Sequence, residues 1–194
     1  IYGNRASSGV IMVTTKRGKK GQTSVSYSGY IGLEKVSNSL DMMKADELRG
    51  YLAKNNVAYS PNDDKGASTD WQKAIQNGNA VSHNHNLSFS GGTERSTYSA
   101  SLNYFNKEGI LRNSHLKRVN ARVSFEQQAL NDKVKFGFNI ANSSSNASYT
   151  PLQNIVLLQA AKHSPVSPVL NPDGTYFENL NTTGYFNPLA IIDN

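Results

Sequence analysis

The chain has no cysteine among its 194 residues. That excludes a disulfide framework and a thiolate metal site. Long apolar runs are also missing, and none approaches the roughly 20 residues of a transmembrane helix. A mean hydropathy of -0.53 does not by itself exclude a membrane, because strands that alternate polar and apolar residues average out. Clustered positive charge is scarce outside Lys16 to Lys20. The net charge is +6 and the pI is near 9.4. Beyond Lys20, however, the cations are scattered singly at Lys35, Lys44, Arg49, Lys54, Lys65 and Lys73. No basic helix or basic-aromatic platform forms, so the pattern does not fit a nucleic-acid surface.

Catalytic signatures are equally scarce. No nucleophile elbow or triad spacing stands out, and no glycine-rich phosphate loop follows a strand and opens a helix. Asp173-Gly174 lacks the ligand spacing of an EF-hand and reads as a turn. His83 and His85 flank Asn84 and would share a face in a strand, but no third metal ligand accompanies them. The chain is therefore read as a non-enzyme with no metal and no cofactor.

What is present is alternation. In Thr23 to Leu33, Val25, Tyr27, Ile31 and Leu33 point one way and Ser24, Ser26, Ser28 and Tyr30 the other, which is a strand with one apolar face. His85–Ser90, Thr97–Asn106, Arg118–Gln127 and Lys133–Asn142 repeat the pattern. Gly91–Ser96 and Leu130-Asn131-Asp132 read as tight turns between them. The fold class is all-β and antiparallel. Short helices interrupt it. Leu40 to Asn56 carries apolar residues at spacings near three and four, capped by Ser39 or Asp41. Thr69-Asp70-Trp71-Gln72 opens a second helix, and Leu152 to His163 forms a third, stopped by Pro165 and Pro168. Asn171 to Tyr176 is a turn, and Asn187-Pro188-Leu189-Ala190 is expected to lead into a further strand. Trp71 reads first as an anchor that packs its loop. A sugar-stacking platform is the other reading, shared with Tyr176.

The first residues have a different texture. Ile1-Tyr2-Gly3-Asn4-Arg5-Ala6-Ser7-Ser8-Gly9 is turn-like, and Val10-Ile11-Met12-Val13-Thr14-Thr15 is an unbroken run suited to a strand covered on both faces. Lys16 to Gly21 is a basic, solvated exit. This string resembles the end of the plug domain of TonB-dependent outer-membrane transporters. The remainder resembles their SusC/RagA branch. The matching stretches are Leu40 to Glu47, Thr69 to Gln72, His85 to Glu94, Tyr104 to Ile110, Lys117 to Arg122 and Asn187 to Ala190.

The resemblance implies a division into residues 1–21, the end of the plug and its tether, and residues 22–194, the first part of a transmembrane β-barrel of about 22 strands with its external loops. Most of the plug, the TonB box and the export signal would lie upstream of Ile1. It implies a multi-pass protein of the bacterial outer membrane that imports a glycan or peptide. Its partners would be a SusD-like surface lipoprotein, TonB and the lipid bilayer. Gly3, Arg5, Gly9, Val10, Ile11 and Val13 would form the plug core and turn.

On this reading the connections 34–84, 107–117 and 144 onward face outside, and 91–96 and 129–132 face the periplasm, since such barrels have short periplasmic turns and long external loops. Arg122 or Lys135 at the bilayer midplane would cost roughly 2–4 kcal/mol. The polar face therefore lines the lumen and offers Asn120, Arg122, Lys135 and Asn139 to the substrate. A secreted or surface β-sandwich for carbohydrate binding or adhesion would show the same alternation. In that case Tyr59, Trp71 and Tyr176 would be its binding aromatics.

Overall fold

The computed structural model describes residues 21–58, 64–179 and 184–193. The plug-like stretch at residues 1–20 and Tyr59 lie outside the described residues. The described elements are β1 (Ser24–Glu34), α1 (Ala45–Lys54), α2 (Trp71–Ala74), β2 (Ala80–Gly92), β3 (Ser96–Glu108), β4 (His115–Ala129), β5 (Val134–Ser148), α3 (Gln153–Lys162) and α4 (Pro188–Asp193). The strands form one antiparallel sheet in sequence order, β1-β2-β3-β4-β5. The chain divides into two compact units.

The first unit comprises 21–28, 85–103 and 119–144 and consists of sheet and its two short turns. Thr93 closes one turn. Its N–H donates to the Ser96 carbonyl at 2.8 Å, and its hydroxyl accepts the Ser96 N–H at 3.1 Å. The other turn is built from Leu130, Asn131 and Asp132, all with positive φ (52, 51 and 67°). Asn and Asp tolerate that left-handed region better than most residues.

One face of this unit is apolar and continuous. Tyr27 stacks near His85 and Phe89 on Tyr98, and Phe125 stacks on Phe138 with ring centroids 5.7 Å apart. Tyr98 also covers Gly91 across the strand pair: a Cβ at Gly91 would sit 2.6 Å from its ring, so any side chain there would have to displace the tyrosine. The opposite face is polar. Ser26 and Ser88 share a hydrogen bond of 2.6 Å. The Asn120 amide donates to Asn103 Oδ1 at 3.4 Å and its oxygen accepts from Ser143 at 2.7 Å. Lys135 pairs with Glu126 at 3.1 Å.

None of the buried hydrophobic residues among the described residues lies in this unit. Its apolar face is open, with Tyr27 65% and Ile140 62% exposed. Among the described residues it is a single layer with no second sheet upon it.

The second unit comprises 29–58, 64–84, 104–118, 145–179 and 184–193 and holds every helix among the described residues. Its core is Trp71, Ile75, Val156, Ala160, Leu189 and Ile192. The helix expected from Leu40 begins later, at Ala45, because Leu40 is tied to Gln72 outside any helix. Gln72 donates to the Leu40 carbonyl at 2.8 Å and accepts its N–H at 2.9 Å. The start of α1 is then fixed by Glu47, which accepts the Lys44 N–H at 2.8 Å, one half of a capping box. Asp46 and Glu47 in the first turn and Lys54 in the last suit the helix dipole.

The expectation that Asn187-Pro188-Leu189-Ala190 leads into a strand is not met within the described residues: Pro188–Asp193 is helix α4. Proline is favourable in the first helical turn, where its missing N–H costs nothing. Asn187 caps the helix by accepting the Leu189 N–H at 3.0 Å.

Candidate functional site

The second unit contains a cavity of about 1020 Å³ bounded by segments 36–48, 68–76 and 160–167 together with Asn179 and Tyr185. Each wall is fixed by bonds the local sequence supplies. Arg49 reaches from α1 to Asp64 with a two-pronged contact, Nε to Oδ2 and Nη2 to Oδ1, both 2.8 Å, and its Nη2 also donates to the Ala67 carbonyl. The Arg49 hydrogen bond, with help from the Gly66 N–H, lowers the Asp64 carboxyl to about 2. Such planar pairing is what guanidinium does and ammonium does not. Asp70 caps α2 by accepting the Lys73 N–H at 3.0 Å. The Thr69 N–H bonds the Pro165 carbonyl at 2.8 Å, and the Thr69 hydroxyl bonds the Ser167 carbonyl at 2.7 Å.

Trp71 and His163 meet at the cavity wall. Trp71 is 3% exposed and its indole N–H donates to the Ser164 carbonyl at 2.9 Å. His163 is 5% exposed. Its ring lies edge-on to Trp71 at 4.4 Å and parallel to Tyr185 at 4.0 Å with an interplanar angle of 9°. The Tyr185 hydroxyl accepts the Ser164 N–H. Neither ring nitrogen of His163 has a hydrogen-bond partner. Burial lowers its pKa from 6.5 to about 4, opposed more weakly by the nearby Gln159 backbone, so the imidazole is neutral at pH 7. Buried polar groups are nearly always bonded, which makes this one conspicuous.

A buried amide network braces the far side. Gln159 donates to the Gly184 carbonyl at 2.8 Å and accepts the Phe186 N–H at 3.3 Å. Asn187 is fully buried, donates to the Val169 and Phe177 carbonyls at 2.8 and 3.0 Å, and gives its own N–H to Glu178. Burial raises the Glu178 pKa, partly offset by that Asn187 bond.

The residues singled out in the sequence fall as follows. Gly3, Arg5, Gly9, Val10, Ile11 and Val13 lie outside the described residues. Asn120 and Arg122 on β4 and Lys135 and Asn139 on β5 share the polar face of the first unit. Asn120 is bonded across three strands there, Lys135 is ion-paired, and Arg122 and Asn139 are exposed. Trp71 is an anchor, with no ring face open for stacking. Tyr176 packs half-buried against the core of the second unit, and its hydroxyl donates to Asp193. His85 Nδ1 bonds the Tyr27 hydroxyl at 2.6 Å, and His83 lies against Tyr104. No group of three metal-ligating side chains occurs among the described residues. His163, Tyr185, Gln159 and Asn187 were not signalled by the sequence. In His163-Ser164-Pro165-Val166-Ser167-Pro168 the prolines spoke only of a helix stop, and the histidine's burial is a tertiary property.

No known protein-family profile matches the chain. It is similar to the TonB-dependent receptor SusC of Bacteroides thetaiotaomicron, 36% identical over 196 residues, covering 97% of this chain and 19% of that protein. It is similar also to the TonB-dependent receptor P3 of Formosa agariphila, 34% identical over 200 residues, covering 98% of this chain and 19% of that one. Among solved structures it resembles the RagAB peptide importer in its closed-closed state. The TM-score is 0.60 and the identity 28%, over 77% of this chain and 21% of that chain. The open-open state matches with TM-score 0.60 and 26% identity, over 77% and 20%. The chain spans about a fifth of the length of these relatives.

The relatives are TonB-dependent receptors and a peptide importer, and the sheet is part of a transmembrane β-barrel. The chain belongs to the TonB-dependent receptors of the SusC/RagA type.

Proposed function

We propose that this chain forms part of an outer-membrane transporter that imports a nutrient, a glycan or a peptide, in a TonB-dependent manner and together with a SusD-like surface lipoprotein. The observation that carries the reading is the single-layer sheet of the first unit, open and apolar on one face, polar and hydrogen-bonded on the other. A water-soluble sandwich would lay a second sheet on that apolar face. A barrel wall lays it against lipid and turns the polar face to an aqueous lumen. The connection lengths support the same reading. Both short turns, 93–95 and 130–133, fall in the first unit, and all long connections fall in the second.

In this arrangement residues 1–21 are the end of the plug and its tether, and 22–194 are barrel wall and external loops. Val10 would sit in the buried strand of the plug, so Val10→Asp should unseat it and make cells leaky to large antibiotics. Asn120, Arg122, Lys135 and Asn139 would line the path of the cargo. The partner follows from similarity to the RagAB complexes, and the coupling from similarity to TonB-dependent receptors. The test is fractionation of the full-length protein. It should co-sediment with outer membranes, show heat-modifiable gel mobility, and be needed for growth on its nutrient. Recovery as a soluble periplasmic protein without detergent would overturn the reading.

A further inference from the structure

We infer, resting on the barrel-wall reading above, that a polar recess at the outer rim of the wall's lipid side binds the phosphorylated sugar headgroup of an outer-leaflet glycolipid, with Lys117 holding the phosphate.

Alternation places the recess. On β4 the face that carries Phe125, Val123, Ala121 and Val119 carries Lys117 and then His115 toward the outer end. On β3 the face of Tyr98, Ala100, Leu102 and Tyr104 ends in Asn106 and Glu108. On β5 Phe136, Phe138 and Ile140 give way to Asn142, Ser144 and Asn146. The period of two keeps each set on one face. The apolar stretch is bounded at its other end by Gln127 on β4 and Ser96 on β3, ten residues from Lys117 and from Asn106 respectively. Ten residues of strand cover about 33 Å, and a tilt near 45° makes that about 23 Å of depth, close to an apolar band about 25 Å tall. Lys117 and Asn106 therefore stand where acyl chains end and headgroups begin.

Hydrogen bonds fix the register there. The Gly109 N–H donates to the Ser114 carbonyl at 2.8 Å and the Gln128 N–H to the Arg95 carbonyl at 2.7 Å, which sets Asn106 across from Lys117. The bond of 2.7 Å between Ser143 and Asn120 on the other face sets Asn146 across from Lys117 in turn. These three border a recess of about 470 Å³, and every residue lining it is polar. All of them belong to the second unit. Asn77 and Asn113 spend their amide N–H groups on the Gly109, Leu111 and Ile192 carbonyls, which holds the wall in place. The Asn146 oxygen meets His115 Nε2 at 3.3 Å. Lys117 is exposed, lies over the Tyr104 ring at 5.7 Å from its centroid, and has no carboxylate at ion-pair distance among the described residues. A cation seated on a tyrosine at the edge of an apolar band is an interfacial anchor, and its charge is left for an anion. Glu108 is two residues further from the band than Asn106. It stands at the level of the sugar, whose hydroxyls donate to a carboxylate, and not of the phosphate. The volume lies within the about 300–1,000 Å³ of ordinary ligand sites and suits a phosphorylated sugar ring, whereas a glycerol headgroup would leave most of it unfilled.

The experiment uses the full-length protein in phosphatidylcholine vesicles, with a bimane fluorophore on Ser144→Cys, a position on the same face outside the recess. The vesicles are doped with increasing diphosphoryl lipid A, with lipid A stripped of its phosphates, or with phosphatidylglycerol. Diphosphoryl lipid A should give a saturable change in emission. Lys117→Gln should move its midpoint to an about tenfold higher mole fraction, and Lys117→Arg should stay near wild type. Lys54→Gln, on α1, should leave the midpoint unchanged. Equal midpoints in wild type and Lys117→Gln, or an equal shift in Lys54→Gln, would overturn the site. An equal response to the stripped lipid would overturn the phosphate contact, and an equal response to phosphatidylglycerol would overturn the glycolipid as occupant. The barrel-wall reading fails separately, if labels at Phe138 and Ile140 meet a water-soluble nickel chelate instead of oxygen. Lipid access at those two positions with no effect of Lys117→Gln removes the site alone.

Discussion

Replacing Asn187 tests whether the loop unit is held by a cap or by a network. The side chain is fully buried and makes three bonds. Losing the cap on Leu189 costs about 1 kcal/mol. The Val169 carbonyl would keep the Phe177 N–H at 3.1 Å, so losing Asn187 there costs near the low end of the range, about 1 kcal/mol. The Phe177 carbonyl loses the Asn187 bond altogether, at about 1–3 kcal/mol. Asn187→Ala should therefore destabilise the local fold by about 3–5 kcal/mol, a fall of about a hundredfold or more in hydrogen-exchange protection. The assay is exchange mass spectrometry on the full-length protein, following segments 169–178 and 188–193. Asn187→Asp is the discriminating variant. Aspartate caps helices as well as asparagine, but it presents oxygen to two carbonyls and adds charge close to Glu178. It should be at least as damaging as alanine. Wild-type protection in Asn187→Asp would reduce the residue to a simple cap, and unchanged protection in Asn187→Ala would refute the network.

Other outcomes follow from the same geometry. His163 has a folded pKa near 4 against 6.5 unfolded, so the folded state binds fewer protons between those values. The loops should lose stability as pH falls from 6.5 to 4, by about 3 kcal/mol in all, read as faster limited proteolysis that His163→Phe abolishes. Asp64 has the opposite history: its carboxyl is depressed to about 2 by Arg49, so its contribution is present above the ordinary carboxylate range and lost as pH falls toward 2. Arg49→Lys should weaken that clamp at neutral pH and speed cleavage within 55–68. On the first unit, Ile140→Arg should cost roughly 2–4 kcal/mol if it meets the bilayer midplane and reduce folded protein on heat-modifiability gels. Asn139→Arg on the polar face should leave the yield unchanged.

The strands were legible because a single-layer wall writes its two faces directly into alternating residues, and Val134 to Ile140 need no tertiary knowledge to be read. The turns were legible through their length. Helix boundaries were less so. Ser39 and Asp41 looked like caps for α1, but the amide of Gln72 ties down the Leu40 backbone and the helix starts at Ala45. Asn187-Pro188 looked like the approach to a strand because the three partners of Asn187 lie as far as 18 residues away. The cavity was invisible for the same reason. Nothing near His163 in sequence announces that Trp71 and Tyr185 enclose it.

The central claim is that one face of the sheet meets lipid and the other water. Nitroxide labels on cysteines introduced singly at Phe138, Asn139, Ile140 and Ala141 of the full-length protein, reconstituted in lipid vesicles, test it most directly. The account predicts high oxygen accessibility at 138 and 140, high accessibility to a water-soluble nickel chelate at 139 and 141, and alternation between them. Nickel accessibility at all four positions, or alternation of the opposite phase, would contradict it.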